Sequence, residues 1–140
     1  MHRIVLPLDR LLQAADRESG CTAAQLSILA GVHYLKRTTL SRLAARERIA
    51  APTASRIVDG LVREGMLSRI VEAGDRRAVR LEVTGKGVKA IAVACAAREK
   101  VLAQALEGLT EAEKDALRVV VPGLNRVLGL VPEPVSAESP

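Results

Sequence analysis

Three short stretches of this sequence carry side chains able to do chemistry. The first is "GDRRAVRLEVTGKG", residues 74–87, where Asp75, Arg76 and Arg77 crowd a polar turn and Arg80 follows among alternating apolar residues. The second is "PTASRIVDGLVREG", residues 52–65. Its helical spacing gathers Ala54, Ile57, Val58 and Leu61 on one face and leaves Thr53, Ser55, Arg56, Asp59 and Arg63 largely elsewhere. Pro52, in the first turn, joins Thr53, Ser55 and Arg56 as a candidate DNA contact. Guanidinium and hydroxyl groups presented this way suit phosphate oxygens and the edges of bases. The third is Cys21, just before Thr22, where a helix start can favour a reactive thiolate. Catalytic constellations are missing. His2 and His33 stand alone, no Cys, His and carboxylate set has metal-ligand spacing, and nothing resembles a triad or a phosphate loop. Gly85 and Gly87 read as glycines at a helix start. The expectation is a protein that is not an enzyme and holds no metal or cofactor.

Charge narrows the partner. The 140-residue chain has a net charge of +5, and its 16 Arg against 5 Lys, beside abundant Ala and Val, can follow from base composition alone. Distribution says more than the total. Lys36 to Arg80 holds 11 basic and 5 acidic residues, whereas the remainder holds 10 basic and 11 acidic. A concentrated basic block is a footprint for phosphate. With no Trp, no Phe and a single Tyr, the chain has almost nothing on which to stack unpaired bases. Double-stranded DNA is therefore the better candidate. The N-terminus carries Asp9, Asp16 and Glu18 too early for a signal peptide, no apolar run approaches a membrane span, and two cysteines make no disulfide framework. The chain reads as cytoplasmic, with no membrane partner.

These groups need positioning elements, and helical periodicity supplies most of them. Leu8, Leu11, Leu12 and Ala15 predict a first helix to about Glu18, with Pro7 near its start or kinking it. Thr22 and Gln25 form a capping-box pattern opening a second helix. Thr38 or Thr39 caps a third, whose stripe is Leu40, Leu43 and Ala44. Pro52 suits the first turn of the fourth and Gly65 its left-handed stop. The period then shortens: 66–72 and 78–83 read as strands around the polar turn "AGDRR". Thr84 caps a long helix from about Gly85 to Leu106, and Thr110 with Glu113 opens a last one from about Glu111 to Leu128. The Pro-rich tail, 130–140, reads as frayed.

Short helices, a tight break, a helix with a polar outward face and then a hairpin describe a winged helix-turn-helix. The fold class is mainly α, with a small antiparallel β-hairpin wing. "GCTAAQLSIL", "LSRLAARERIAAPTASRIVDGLVREGMLSR" and "DRRAVRLEVTGKG" together resemble the MarR (multiple antibiotic resistance regulator) family of transcriptional regulators. Asp75 and Arg77, followed by Val83, Thr84 and Gly87, are the most specific element. The resemblance implies that Arg77 enters the minor groove with Asp75 positioning it, and that Thr53, Ser55 and Arg56 approach the major groove. It also implies a two-fold dimer and a ligand-responsive crevice. On that basis the chain is one domain, with a DNA-binding part over about 22–84 and dimerisation helices over about 1–19 and 85–129.

Three departures concern the reading region: Glu47 and Arg48 occupy the turn, Ala50 stands at the N-cap, and Gly60 lies inside the recognition helix. Arg42 and Arg76 join the candidate DNA contacts, whereas Arg46, Arg48 and Arg63 read as solvated or internally paired. Cys21 admits two readings, a small buried hydrophobe or a redox sensor, and Cys95 reads as packing. The expected function is a homodimeric repressor of a pseudo-palindromic operator, released by a small-molecule effector or by cysteine oxidation. The alternative is a winged-helix module for protein–protein assembly without specific DNA binding.

Overall fold

The computed structural model describes residues 2–35, 38–72 and 75–127, and the side chains of 5–35, 38–70 and 80–127. Residues 73–74 of the expected turn, the frayed tail expected at 130–140 and the side chains of Asp75, Arg76 and Arg77 lie outside the described residues. Helix α1 spans His2–Asp16 with Pro7 inside it, and a 3₁₀ turn at Arg17–Ser19 ends on Gly20 at φ 75°. Helix α2, Ala23–Leu35, opens on the expected capping box: Thr22 N donates to Gln25 Oε1 at 2.8 Å and Gln25 N to Thr22 Oγ1 at 3.2 Å.

Helix α3 spans Leu40–Glu47, and of its two candidate caps it is Thr39 whose hydroxyl accepts from Arg42 N. Thr38 is instead buried, its hydroxyl without a partner among the described residues. The helix stops on Arg48 at φ 53°, the one positive φ outside glycine among the described residues. Helix α4, Ala51–Arg63, starts on Ala50 with no side-chain cap and takes Pro52 in its first turn. Gly65, at φ 71°, then turns the chain out of it.

Strands β1 (Leu67–Glu72) and β2 (Asp75–Val83) pair antiparallel. Register runs from Leu67↔Val83 to Val71↔Val79 and then shifts to Glu72↔Asp75. One step along β1 therefore faces four along β2. This corrects the expected start of the second strand at 78: Arg76 and Arg77 belong to β2 at an irregularity, not to a free turn tip. Extra residues on one strand of a pair bend it and re-aim side chains.

Helix α5 spans Gly85–Glu107, with Thr84 Oγ1 accepting from Gly87 N at 3.2 Å. A Cβ at Gly87 would run into the Met66 carbonyl and Val83, so glycine there lets α5 start hard against the hairpin. Helix α6 spans Glu111–Val127. Its capping box also forms, Thr110 N donating to Glu113 Oε2 at 2.8 Å. No helix among the described residues is long and apolar enough to cross a membrane.

Two compact units divide the chain, 1–101 and 102–140. In the first, α3 packs on α4, α4 on β1, and α2 on α1, α3, α4 and β2. Ile28, Leu29, Leu43, Val58 and Leu61 are its most buried large side chains. Asp16, at the end of α1, is buried and accepts two hydrogen bonds from Arg98 of α5, at 2.5 and 2.7 Å. Those hydrogen bonds raise the Arg98 guanidinium further above its ordinary range. In the second unit, α6 contains no buried residue.

Candidate nucleic-acid interface

Helix α4 divides its residues as its spacing requires. Ala54, Val58 and Leu61 are buried. Pro52, Thr53, Arg56 and Arg63 are exposed, and Ser55 is half-buried. The N-terminal half thus holds a hydroxyl pair and a guanidinium within about one and a half turns. One acid shares the outward side, Asp59, and it is engaged: Arg69 of β1 donates to its Oδ1 at 2.5 Å. That contact braces α4 to the hairpin and removes an anion that would oppose phosphate. The partnership was not foreseen from the sequence. The matching signal is an Asp on the outward side of one element and an Arg on the next.

The other acid of this region is also committed. Glu47 Oε2 accepts from Ser27 Oγ at 2.5 Å and Oε1 lies 3.6 Å from Arg46 Nε. Arg46 is therefore internally paired, and its guanidinium lies over Gly31 of α2. Arg42, in the first turn of α3, is exposed. Pro52, Thr53, Ser55 and Arg56 thus share α4, with Arg42 on the helix packed against it.

On the hairpin, Leu81 is buried while Arg80 and Glu82 share the opposite face and pair with one another. Arg80 is consequently occupied within the protein. Asp75 lies opposite Glu72, and Arg76 and Arg77 follow it along β2. Backbone position is what the structure gives for these three.

Of its two expected surroundings Cys21 takes the buried one, whereas Cys95 departs from its expectation. Cys21 is 4% exposed, with its sulfur 3.4 Å from that of Met66. Burial pushes the Cys21 thiol up. The Ser19 hydrogen bond opposes this, Glu64 adds to it and Lys86 opposes it. A buried thiol held protonated lacks the exposure and thiolate character that sensing requires. Cys95 is exposed, contrary to the expectation of packing. The buried residues of α5 are Gly87, Ala90, Ile91, Ala94 and Ala97, and residue 95 falls beside that stripe.

A cleft of about 380 Å³ opens between α2 and α5, lined by Leu26, Ser27, Ala30, Tyr34, Ile91, Cys95 and Arg98 among others. Its wall is mostly apolar, with a hydroxyl, a phenol and a guanidinium available for orientation. Among the described residues no group of His, Cys, Asp and Glu is arranged to hold a metal ion.

The sequence model of the MarR family matches residues 21–79, which takes in α2, the α3–α4 pair and most of the hairpin. An HTH-type transcriptional regulator of Mycobacterium tuberculosis, MT0903.1, is 32% identical over 114 residues, covering 81% of this chain and 80% of its own. The HTH-type transcriptional repressor MdtR of Bacillus subtilis is 27% identical over 103 residues, covering 74% of this chain and 66% of its own. In architecture the chain is similar to the YusO protein of Bacillus subtilis, with a TM-score of 0.76 at 22% identity over 89% of each chain.

Proposed function

The chain belongs to the MarR family of DNA-binding, winged-helix transcriptional regulators, which are not enzymes, and on that premise we propose that it is a homodimeric repressor of a pseudo-palindromic operator. In this reading α4 enters the major groove, with Thr53, Ser55 and Arg56 facing base edges and phosphates. Pro52 starts the helix and brings its first turn to the duplex, and Arg42 takes a phosphate. Arg76 and Arg77 follow the neighbouring minor groove, with Asp75 positioning Arg77. The region 22–84 is the DNA-binding part, and 1–19 with 85–129 form the dimer. The site of action is the cytoplasm.

The single observation that carries the reading is the outward side of α4. Thr53, Arg56 and Arg63 are exposed there, Ser55 is half-buried, and its one acid is bound to Arg69. Repression accords with the relative MdtR, a transcriptional repressor. Dimerisation is supported by apolar residues left exposed, among them Val5, Leu6 and Leu11 on α1 and Val119, Val120 and Leu124 on α6. Covering each such side chain is worth about 1.5–3 kcal/mol, enough in sum to offset an association cost of about 4–15 kcal/mol.

Release by a small molecule in the α2–α5 cleft is favoured over oxidation of Cys21, because that thiol is buried and held protonated. The test of the function selects duplexes from a random pool with the wild-type protein and titrates them against unselected duplex at several salt concentrations. A recurring two-fold motif bound well above random sequence is the expected result. Equal binding of both pools would remove the operator reading and leave an assembly module.

A further inference from the structure

Gly60 occupies the third turn of α4, where glycine is the least favourable residue a helix can hold apart from proline. The protein's own packing does not account for it. Its φ is not positive, since Gly20 and Gly65 are the glycines with that conformation among the described residues. A Cβ built at Gly60 would meet no heavy atom within 4 Å. Gly31 and Gly87 differ: a Cβ there would strike Leu43 of α3 or the Met66 carbonyl.

Position supplies the reason that packing does not. Gly60 lies four residues after Arg56, three before Arg63 and seven after Thr53, so these four share the outward side of α4. Arg56 and Arg63 are exposed and enter no ion pair among the described residues. Asp59, beside them, is bound to Arg69. The result is a bare stretch of helix backbone between two available guanidinium groups. Glycine serves where a backbone must approach a ligand closely, and the ligand that two flanking guanidinium groups select is phosphate.

We propose that a sugar–phosphate strand of duplex DNA packs directly against α4 at Gly60, with Arg56 and Arg63 holding the phosphates on either side. This rests on the reading that α4 faces the duplex. Any side chain at residue 60 holds the strand off and lengthens both arginine contacts. The contact is to backbone, so it contributes to every sequence alike.

The experiment compares wild type with Gly60→Ala, Gly60→Leu and Arg56→Ala by thermal unfolding, sedimentation and titration of a duplex selected by the wild-type protein and a random duplex. Gly60→Ala should raise the melting temperature, because alanine favours the helix and the space is open. It should leave the assembly state unchanged and weaken both duplexes by about tenfold, the size of one lost favourable contact. Gly60→Leu should weaken them further. Opposite signs for stability and binding are the signature. If Gly60→Ala gains stability and binds DNA as wild type does while Arg56→Ala binds less, close approach is overturned and the α4 reading stands. If neither variant loses affinity, both fall together. A changed assembly state in Gly60→Ala would assign the bare backbone to a second copy of the chain and overturn the proposal.

Discussion

Helices α4 and α6 are both amphipathic, yet α4 covers its apolar face and α6 leaves its own open. Helix α4 buries Ala54, Val58 and Leu61 and exposes Thr53, Arg56 and Arg63. Helix α6 buries nothing and exposes Leu117, Val119, Val120, Val121, Leu124 and Val127. Their charges differ as well. On α6, Lys114 pairs with Glu111 and Arg118 with Asp115, one turn apart. On α4 the acid is taken by the hairpin and the arginines remain available. A free polar face with unneutralised cations calls for an anion, whereas a free apolar face with neutralised charges calls for another protein surface. One chain thus carries two kinds of open face, each suited to a partner of different chemistry.

Making α6 polar should have the largest effect. Val120 and Leu124 are each 50% exposed, so Val120→Asp with Leu124→Asp should leave the first unit folded while abolishing the proposed dimer. Sedimentation should give a monomer mass, and operator affinity should fall about 100-fold or more as two linked half-site contacts become one. A dimer that persists would place the interface elsewhere.

A smaller effect belongs to the packed unit. Arg98→Met leaves the Asp16 carboxylate, 2% exposed, without its cation. The expected loss is about 3 kcal/mol, the low end for breaking a buried ion pair, because Arg98 itself is 41% exposed. Urea unfolding measures it, and a loss below 1 kcal/mol would make the pair a surface contact.

The two thiols sharpen the contrast between buried and open ground. A thiol reagent should modify Cys95 quickly and Cys21 only as the protein unfolds, so Cys95→Ser should delete the fast phase. Mild peroxide should release DNA equally from wild type and Cys21→Ser, or from neither. Rapid labelling of Cys21 would return oxidation to consideration.

The smallest effect lies at the start of α6. The Thr110 backbone hydrogen bond, joined by the Thr110 side chain, lowers the Glu113 carboxyl below its ordinary value. A lowered value means that the ionised group stabilises the folded form. That contribution is complete above the unfolded value of about 4.3 and is lost as pH falls through the lower folded value. Glu113→Gln should therefore unfold slightly more easily than wild type at neutral pH, and the difference should vanish in acid. A difference that grows in acid would contradict the cap.

What the sequence made legible was local. Thr22 with Gln25, Thr110 with Glu113, Pro52 and Gly65 work within one turn of a helix, so their spacing reveals them. The outward placement of Thr53 and Arg56 followed from the same periodicity. Contacts between distant segments were not legible. Asp16 and Arg98 are separated by 82 positions, and no local pattern joins Asp59 to Arg69. The start of β2 was missed because "AGDRR" has turn composition, while pairing of Asp75 with Glu72 extends the strand past it. The apolar character of its helix hides the place of Cys95, although the spacing of Ala90, Ile91, Ala94 and Ala97 sets it to one side.

In the proposed complex the reading unit meets duplex DNA through α4 for sequence and through the hairpin for charge. Titration of wild type, Arg56→Ala and Arg77→Ala against selected and random duplexes, each across a salt series, tests it most directly. Arg77→Ala should weaken both duplexes together and lower the salt slope by about one unit per subunit. Arg56→Ala, which removes a guanidinium placed at a phosphate beside Gly60, should also weaken both duplexes and lower the slope. A further loss of about 1–3 kcal/mol confined to the selected duplex measures what the same guanidinium gives to a base edge. Wild-type affinity and an unchanged slope for both variants would contradict the account.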